Sequence, residues 1–268
     1  MKEMLSKITT DYLYRLVKEG KRIDERDMME YRDLEIETGW IGPAEGSARV
    51  ELGDTNVVVG IKMETGEPFP DTPNQGVLTT AAELIPMASP EYESGPPGED
   101  ATELARVVDR GIREGDVVDT EELCIEKGEK VWVIFIDIHV LDFGGNLFDA
   151  AGLGAMAALL DAEVPVERFE DELEKDENYP LPIQHTIIPT TFAKIKDNIL
   201  LDSRLEEEKI ADARLTVSTN EEGNIVAMQK GLRGVFDYEA TKECIKESKR
   251  IGQEMREDLL EITGRENL

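Results

Sequence analysis

The stretch VWVIFIDIHVLDFGGNLFDAAGLGAMAALL, residues 131–160, decides the fold of this chain. Its first part, Val131–Leu141, is apolar with few interruptions, which predicts a strand buried in a sheet. A Gly-rich turn at Asp142–Asn146 follows. The second part, Leu147–Leu160, is apolar around almost its whole circumference and rich in Ala and Gly. Such a segment predicts a helix that is buried on most sides and packs closely against a sheet.

Toward the N-terminus, strand patterns dominate until a first helix is reached. Leu34–Thr38 is a predicted strand, and Ser47–Leu52 with Asn56–Met63 predict a hairpin around a Gly-Asp-Thr turn. Val77–Met87 predicts another strand. The N-terminal helix is predicted from apolar residues at helical spacing: Leu5, Ile8, Tyr12, Leu16 and Val17.

A second helix is predicted just before the decisive stretch. Asp100 stands in the position of an N-cap, and Glu103 follows three residues later, as in a capping box. The buried face of this helix is predicted to hold Leu104, Val107, Val108 and Ile112.

Toward the C-terminus, an acidic and proline-flanked stretch, residues 166–185, predicts a linker between two domains. A long closing helix is predicted to begin at Asp237, a good N-cap residue. Between them lie further predicted strands: Ile187–Lys194, Ile199–Asp202, Arg214–Thr219 and Ile225–Gln229.

These elements predict an α+β protein with two α/β halves, each with mixed sheets packed against helices. The predicted organisation has four parts: residues 1–30 as N-terminal helix and lead-in, 31–165 as a first domain, 166–185 as an acidic linker, and 186–268 as a second domain.

The charge balance narrows the possible functions. Asp and Glu number 59 and Lys and Arg number 30, so the formal charge is −29. Phosphate backbones are repelled by such a surface, which excludes nucleic-acid binding over the whole protein but leaves room for a local basic site. The absence of an apolar run of about 20 residues predicts no membrane helix and no membrane partner.

The cysteines and histidines carry little functional signal. Cys124 and Cys244 are too few for a disulfide framework and predict reduced thiols in a cytoplasmic protein. His139 lies in the apolar strand and is predicted to be a core residue. With His185 as the other histidine and no Cys-x-x-Cys pair, no zinc site is predicted.

The main candidate for binding is a row of arginines on the second helix. Arg106, Arg110 and Arg113 are spaced to lie on one helical face. Guanidinium groups aligned at about one per turn can follow successive phosphates. The alternative is a solvated face whose arginines pair with neighbouring acidic residues.

Two further candidates are weaker. The acidic residues Asp202, Glu206, Glu207, Glu208 and Asp212 could converge around a metal ion, or could form a negative surface turn. The turn at 142–146 precedes a helix N-terminus, where anions can bind, but it contains no lysine or arginine.

Four blocks of the chain stand out: AEGSARVELGDTNVVVGIKMETGEPFPDTPNQGVL, ELARVVDRGIRE, CIEKGEKVWVIFIDIHVLDFGGNLFDAAGLGAMAALL and LLDSRLEEEKIADARLTVS. These blocks resemble the RNase PH family, and the resemblance is strongest to the non-catalytic RNase PH-like subunits of the archaeal exosome ring. The blocks follow the family order, and the resemblance covers nearly the whole chain from residue 31 onward.

The resemblance implies an RNase PH-like fold and a place in a heterohexameric ring. In such a ring, three non-catalytic subunits alternate with three catalytic RNase PH-like subunits, and cap RNA-binding subunits attach to it. Single-stranded RNA passes through the ring, and the catalytic partner removes 3′ nucleotides with inorganic phosphate, with magnesium at the partner's site. The resemblance implies no cofactor bound by this chain.

The resemblance also implies roles for particular residues. Active members have an arginine in the Gly-rich turn that binds phosphate, whereas this chain has Gly-Gly-Asn-Leu at 144–147, so no phosphate-binding residues are predicted. Asp212 matches the position of a catalytic carboxylate and is a vestigial candidate; no catalytic or metal-binding residue is predicted. Arg106 and Arg110 match RNA-binding arginines, and Arg113 lies on the same face.

Two alternatives stay open at this point. The chain could be a phosphorolytic 3′–5′ exoribonuclease active by itself, or a purely structural ring scaffold without RNA contact. The preferred expectation is a non-catalytic RNA-binding subunit whose acidic exterior confines RNA to the arginine row.

Overall fold

The computed structural model describes residues 5–172 and 177–265. Residues 173–176 of the predicted linker, residues 1–4 and residues 266–268 lie outside the described part of the chain. The first half of the chain forms a mixed sheet of strand order β1-β2-β3-β6-β4, in which β5 also pairs with β6. Its strands are β1 (Leu34–Thr38), β2 (Gly46–Leu52), β3 (Thr55–Gly66), β4 (Val77–Leu84), β5 (Cys124–Glu126) and β6 (Lys130–Asp142).

Most neighbours in this sheet are antiparallel, and β4 runs parallel to β6. Cross-strand pairing of Leu52 with Thr55 confirms the predicted hairpin and leaves only Gly53 and Asp54 in its turn. The buried strand predicted at Val131–Leu141 is β6, which lies inside the sheet between β3 and β4.

A second sheet is antiparallel throughout and has the strand order β10-β9-β11-β12. Its strands are β9 (Ile188–Ile195), β10 (Asn198–Leu201), β11 (Ala213–Thr219) and β12 (Ile225–Gly231). The short strands β7 (Glu163–Val164) and β8 (Tyr179–Pro180) pair with each other; in the sequence they lie between the strands of the first sheet and those of the second.

The helices are α1 (Lys7–Lys18), α2 (Glu99–Glu114), α3 (Leu147–Asp161), α4 (Leu205–Ile210) and α5 (Tyr238–Thr263). Helix α3 lies between the two sheets, contacts β2 and β3 on one side and β9 on the other, and is buried along nearly its whole length. The prediction of a helix buried on most sides is therefore confirmed.

Small residues allow α3 to approach both sheets. A Cβ atom at Gly152 would lie 2.5 Å from Pro189 of β9, and one at Gly154 would lie 2.9 Å from Val59 of β3. These separations are too short for a side chain, so both positions require glycine. One continuous hydrophobic core results, with residues from both halves of the chain. The α+β architecture predicted from sequence, with two halves that pack sheets against helices, is thus the observed one.

Several local predictions need correction. Helix α2 begins two residues earlier than expected: Gly98 is the N-cap, and Asp100 lies within the first turn. Helix α1 buries Leu13 and Val17, whereas Ile8 and Tyr12 are exposed, because α1 packs only a narrow strip against β9, β10 and α4.

The polar segments also differ from expectation. His139 is not a core residue: its ring is about two-fifths exposed and its Nδ1 lies 3.5 Å from Glu83. It points to the outer face of the first sheet, since strand side chains alternate. The acidic linker is anchored at both ends, because Val166 and Leu181 are buried in the common core.

Candidate nucleic-acid interface

Helix α2 carries the predicted arginine row and is held in place by its opposite face. Leu104, Val108 and Ile112 are buried in the core, as the sequence pattern predicted, while Val107 is only partly buried. The helix packs against β4 on one side and contacts β12 on the other. Its arginine face is therefore turned outward.

Arg113 is bound within the protein. Its Nε donates to Asp109 Oδ2 at 2.7 Å, one helical turn earlier, and its Nη2 donates to the main-chain oxygen of Leu78 in β4. Asp109 also accepts from Thr80 Oγ1 at 3.0 Å. Arg113 thus attaches α2 to β4. Its pairing with Asp109 corresponds to the alternative in which the arginines pair with neighbouring acidic residues.

Arg106 and Arg110 are arranged differently. Both side chains are exposed, and Arg110 Nη1 donates to Gln229 Oε1 of β12 at 3.0 Å. Arg106 makes no hydrogen bond or ion pair within residues 5–172 and 177–265. The nearby Glu103 is directed to Arg214 of β11, with 2.6 Å between Oε1 and Nη2. The charges of Arg106 and Arg110 are therefore not neutralised by an acidic side chain in this part of the chain.

The predicted acidic cluster is largely a buried structural network. Asp202 is fully buried and accepts hydrogen bonds from the main chain and guanidinium of Arg32, from Arg26 and from Asn146 Nδ2. Burial alone would raise the pKa of Asp202, but the hydrogen bonds and positive charge of Arg32 outweigh it and hold that pKa below its ordinary value.

The other acidic residues do not join Asp202 around one point. Glu207 is buried against Arg22, whose Nε and Nη2 donate to it at 3.0 and 2.5 Å. Asp212 accepts from the main-chain nitrogen of Lys196 at 2.7 Å and so caps the turn between β9 and β10. Of the two alternatives for the acidic residues, convergence around a metal ion is not the observed one, because Asp202, Glu207 and Asp212 are used at separate contacts.

In the Gly-rich turn before α3, the main-chain N–H that could bind an anion already donates to a carboxyl group of the chain itself. Asn146 has a left-handed conformation with φ 54°, and its main-chain nitrogen donates to Glu208 Oε1 at 2.6 Å. Burial raises the pKa of Glu208 to about 7. Arg32 donates to the carbonyl oxygens of Gly144 and Gly145, so its guanidinium stabilises the turn from the carbonyl side.

A cleft of 770 Å³ opens beside this turn, between α2, α3, α4 and β11. Glu208 and Glu103 line it together with Arg214, whose guanidinium carbon lies 3.9 Å from the centre of the Phe148 ring. Arg214 of β11 therefore places a cation against Phe148 at the start of α3. Asp212 also lines the cleft.

Sequence reasoning missed three arginines that precede β1: Arg22, Arg26 and Arg32. Their partners Asp202 and Glu207 lie far away in the chain, so no local pattern connects them. The available signal was the density of arginines before the first strand in an otherwise acidic protein.

In the described residues, no group of three or more His, Cys, Asp or Glu side chains is arranged to hold a metal ion. Within the same residues, none of the helices has the length and apolar character required to cross a membrane.

Comparison with known proteins follows the two halves of the chain. Residues 30–165 match domain 1 of the 3′ exoribonuclease family, RNase PH, and residues 185–251 match domain 2. The chain is 52% identical over 267 residues to exosome complex component Rrp42 of Thermococcus kodakarensis, with 98% of each chain covered. It is 50% identical over 263 residues to Rrp42 of Pyrococcus horikoshii, with 97% of this chain and 96% of the relative covered.

The solved structures agree with these sequence matches. A chain of the Archaeoglobus fulgidus exosome with RNA bound to the active site superimposes with a TM-score of 0.90 at 46% identity, covering 94% of this chain and 97% of the other. An archaeal exosome core gives a TM-score of 0.86 at 44% identity, covering 94% and 96%. On its two matched domains, its full-length relatives and its fold, the chain belongs to the RNase PH family of 3′ exoribonucleases.

Proposed function

We propose that this chain is a non-catalytic, RNA-binding subunit of an archaeal-type exosome ring. Three copies alternate with three copies of a catalytic RNase PH-like partner, and cap RNA-binding subunits attach to the ring. The observation that carries the proposal is the pair of exposed, uncompensated arginines on α2, Arg106 and Arg110, in a protein of formal charge −29. The similarity to a chain of an RNA-bound exosome supports it.

The arginine pair is suited to bind the phosphate backbone of RNA rather than its bases. Arg106 and Arg110 are separated by one helical turn, and guanidinium groups bind phosphate oxygens through paired N–H donors. Contacts to phosphates carry no sequence information, so single-stranded RNA of any sequence is accepted. Arg113, two of whose N–H donors are used by Asp109 and Leu78, contributes mainly to holding α2.

The turn before α3 supports the non-catalytic part of the proposal. Phosphorolysis requires a bound inorganic phosphate, and the turn at 144–147 contains no lysine or arginine. The carboxyl group of Glu208 already accepts the hydrogen bond from Asn146 N that an incoming anion would take. A phosphate would therefore meet a position that a carboxyl group of the chain already fills. We place phosphate and magnesium at the partner's site and assign this chain no cofactor.

The overall charge supports a function within an assembly. RNA is repelled by most of this surface, so the partner must supply part of the positive field that guides RNA to α2. We expect the isolated chain to bind RNA poorly and the assembled ring to bind it well. The two free cysteines agree with a cytoplasmic location.

The central experiment measures RNA binding by the ring assembled with the catalytic partner. A plot of log K against log salt has a negative slope. Arg106→Ala and Arg110→Ala should each reduce the steepness of that slope by about 0.7, the value for one phosphate contact on a single strand. The double Arg→Glu variant should weaken binding further and leave the mass of the ring unchanged. Arg15→Glu combined with Lys18→Glu, at two exposed cations of α1, makes the same change in net charge as the double variant and is the matched control. Unchanged binding of the double variant at low salt contradicts the proposal.

Two further measurements address the alternatives. The isolated chain, incubated with RNA, phosphate and Mg²⁺, should release no nucleoside diphosphates; their release would indicate an enzyme active by itself. Crosslinking of the assembled ring to RNA should give adducts on α2, whereas a pure scaffold gives none there.

A further inference from the structure

Strand β12 passes beside the arginine face of α2. Gln229 pairs with Thr216 across the β11–β12 ladder, and paired residues in antiparallel strands point to the same side of the sheet. Ser218, two residues along β11 and therefore on that same side, lies beside Gly111 of α2. Gln229 is therefore on the side of the sheet that faces α2, where its Oε1 accepts from Arg110 Nη1 at 3.0 Å.

The chemistry of this contact differs from that of the other arginines in the row. Arg113 is paired with a carboxylate, which cancels its charge, and Arg106 has no partner in the described part of the chain. The amide of Gln229 is neutral, so Arg110 keeps its full positive charge. One hydrogen bond uses one of the N–H donors of a guanidinium and leaves the others for a ligand.

We propose that Gln229 is a positioning residue that holds the guanidinium of Arg110, with its charge intact, in the orientation that receives an RNA phosphate. This inference rests on the proposed function, because it requires that Arg110 contacts RNA. An exposed arginine samples many rotamers, and ordering it on binding has an entropic cost. A fixed neutral acceptor on a sheet removes part of that cost before RNA arrives.

The test uses the assembled ring and a fluorescently labelled single-stranded RNA. Gln229→Met retains the length of the side chain but removes the acceptor, and should weaken binding about two- to tenfold without changing the salt dependence. Gln229→Glu places a carboxylate against Arg110. It should weaken binding more than Gln229→Met does, and should make the salt dependence less steep, toward that of Arg110→Ala.

Combined variants distinguish positioning from a general effect on β12. The effect of Gln229→Met should disappear in an Arg110→Ala background and persist in an Arg106→Ala background. An unchanged affinity of Gln229→Met, or an equal loss in the Arg110→Ala background, overturns the positioning role while leaving the proposed function in place. If Arg110→Ala and Arg106→Ala both bind RNA normally, the proposed function and the positioning role fall together.

Discussion

Asp202 offers the sharpest test of how this fold is held together. The side chain is fully buried and connects three parts of the protein: the lead-in before β1, the turn before α3, and its own position after β10. We consider Asp202→Asn, which preserves the shape of the side chain and removes its charge. Asp197→Asn, an exposed residue on the turn between β9 and β10, makes the same change in net charge and is the matched control.

The magnitude follows from the donors around the carboxylate. Oδ1 accepts from Arg32 Nη2 at 2.7 Å and from Asn146 Nδ2 at 2.8 Å; Oδ2 accepts from Arg32 N and Nε, both at 2.9 Å, and from Arg26 Nη1 at 3.1 Å. Whichever way the new amide is turned, its NH₂ group faces donors, and Arg32 is left without its counter-ion. Breaking a buried ion pair in this way costs about 3–5 kcal/mol.

The assay is urea unfolding followed by circular dichroism, at several pH values. Because the pKa of Asp202 is lower in the folded than in the unfolded state, its contribution is complete above the unfolded pKa of about 3.9 and is lost as pH falls through the folded pKa. The gap between the wild-type protein and Asp202→Asn should therefore be constant near neutral pH and narrow in acid.

The reasoning is refuted if Asp202→Asn lowers the free energy of unfolding no more than Asp197→Asn does. It is also refuted if the gap between Asp202→Asn and the wild-type protein does not change in acid, since that would mean the carboxylate charge contributes nothing.

Three other predictions follow from buried positions. Gly46→Ala should lower the free energy of unfolding by about 1–3 kcal/mol, because its Cβ would lie 2.4 Å from a main-chain oxygen of α3, whereas Gly42→Ala, with open space around it, should leave it nearly unchanged. Glu208→Gln should gain stability relative to the wild-type protein as pH rises from about 4.3 to about 7, since the native state holds the proton of Glu208 more tightly than the unfolded chain does; equal pH profiles in urea unfolding would contradict this. Cys124 should react with a thiol reagent in the native protein, whereas Cys244, which is buried and whose pKa is raised to about 12, should react only in denaturant; mass spectrometry of the modified peptides measures both.

The accuracy of the sequence predictions varied with the kind of signal. The buried strand and helix of 131–160 and the N-cap at Asp237 were confirmed, because each rests on a local pattern with one physical solution. Asp100 was wrongly placed as an N-cap, since the helix begins at Glu99 and Gly98 provides the extended residue before it. His139 was wrongly placed in the core because an apolar strand inside a sheet can still have one face that is only partly buried.

At the candidate site, too, the local pattern was predicted from sequence and the contacts to other strands were not. The spacing of Arg106, Arg110 and Arg113 predicts a shared face, and the structure has them on one helix. Their separate environments depend on β4 and β12, which come from distant parts of the chain. The i, i+4 spacing allows the contact of Arg113 with Asp109. No spacing rule gives the contact of Arg113 with Leu78 or that of Arg110 with Gln229.

The sequence by itself determined the elements, the acidic charge and the family resemblance, because periodicity, composition and motif order are properties of neighbouring residues. Only the tertiary structure decided which charges remain available. It paired Asp202 with Arg32 and Glu207 with Arg22, and placed Glu208 at the N-terminus of α3. The physical reason is that the cost of burying a charge is met by partners from any part of the chain, and only folding brings those partners within hydrogen-bond distance.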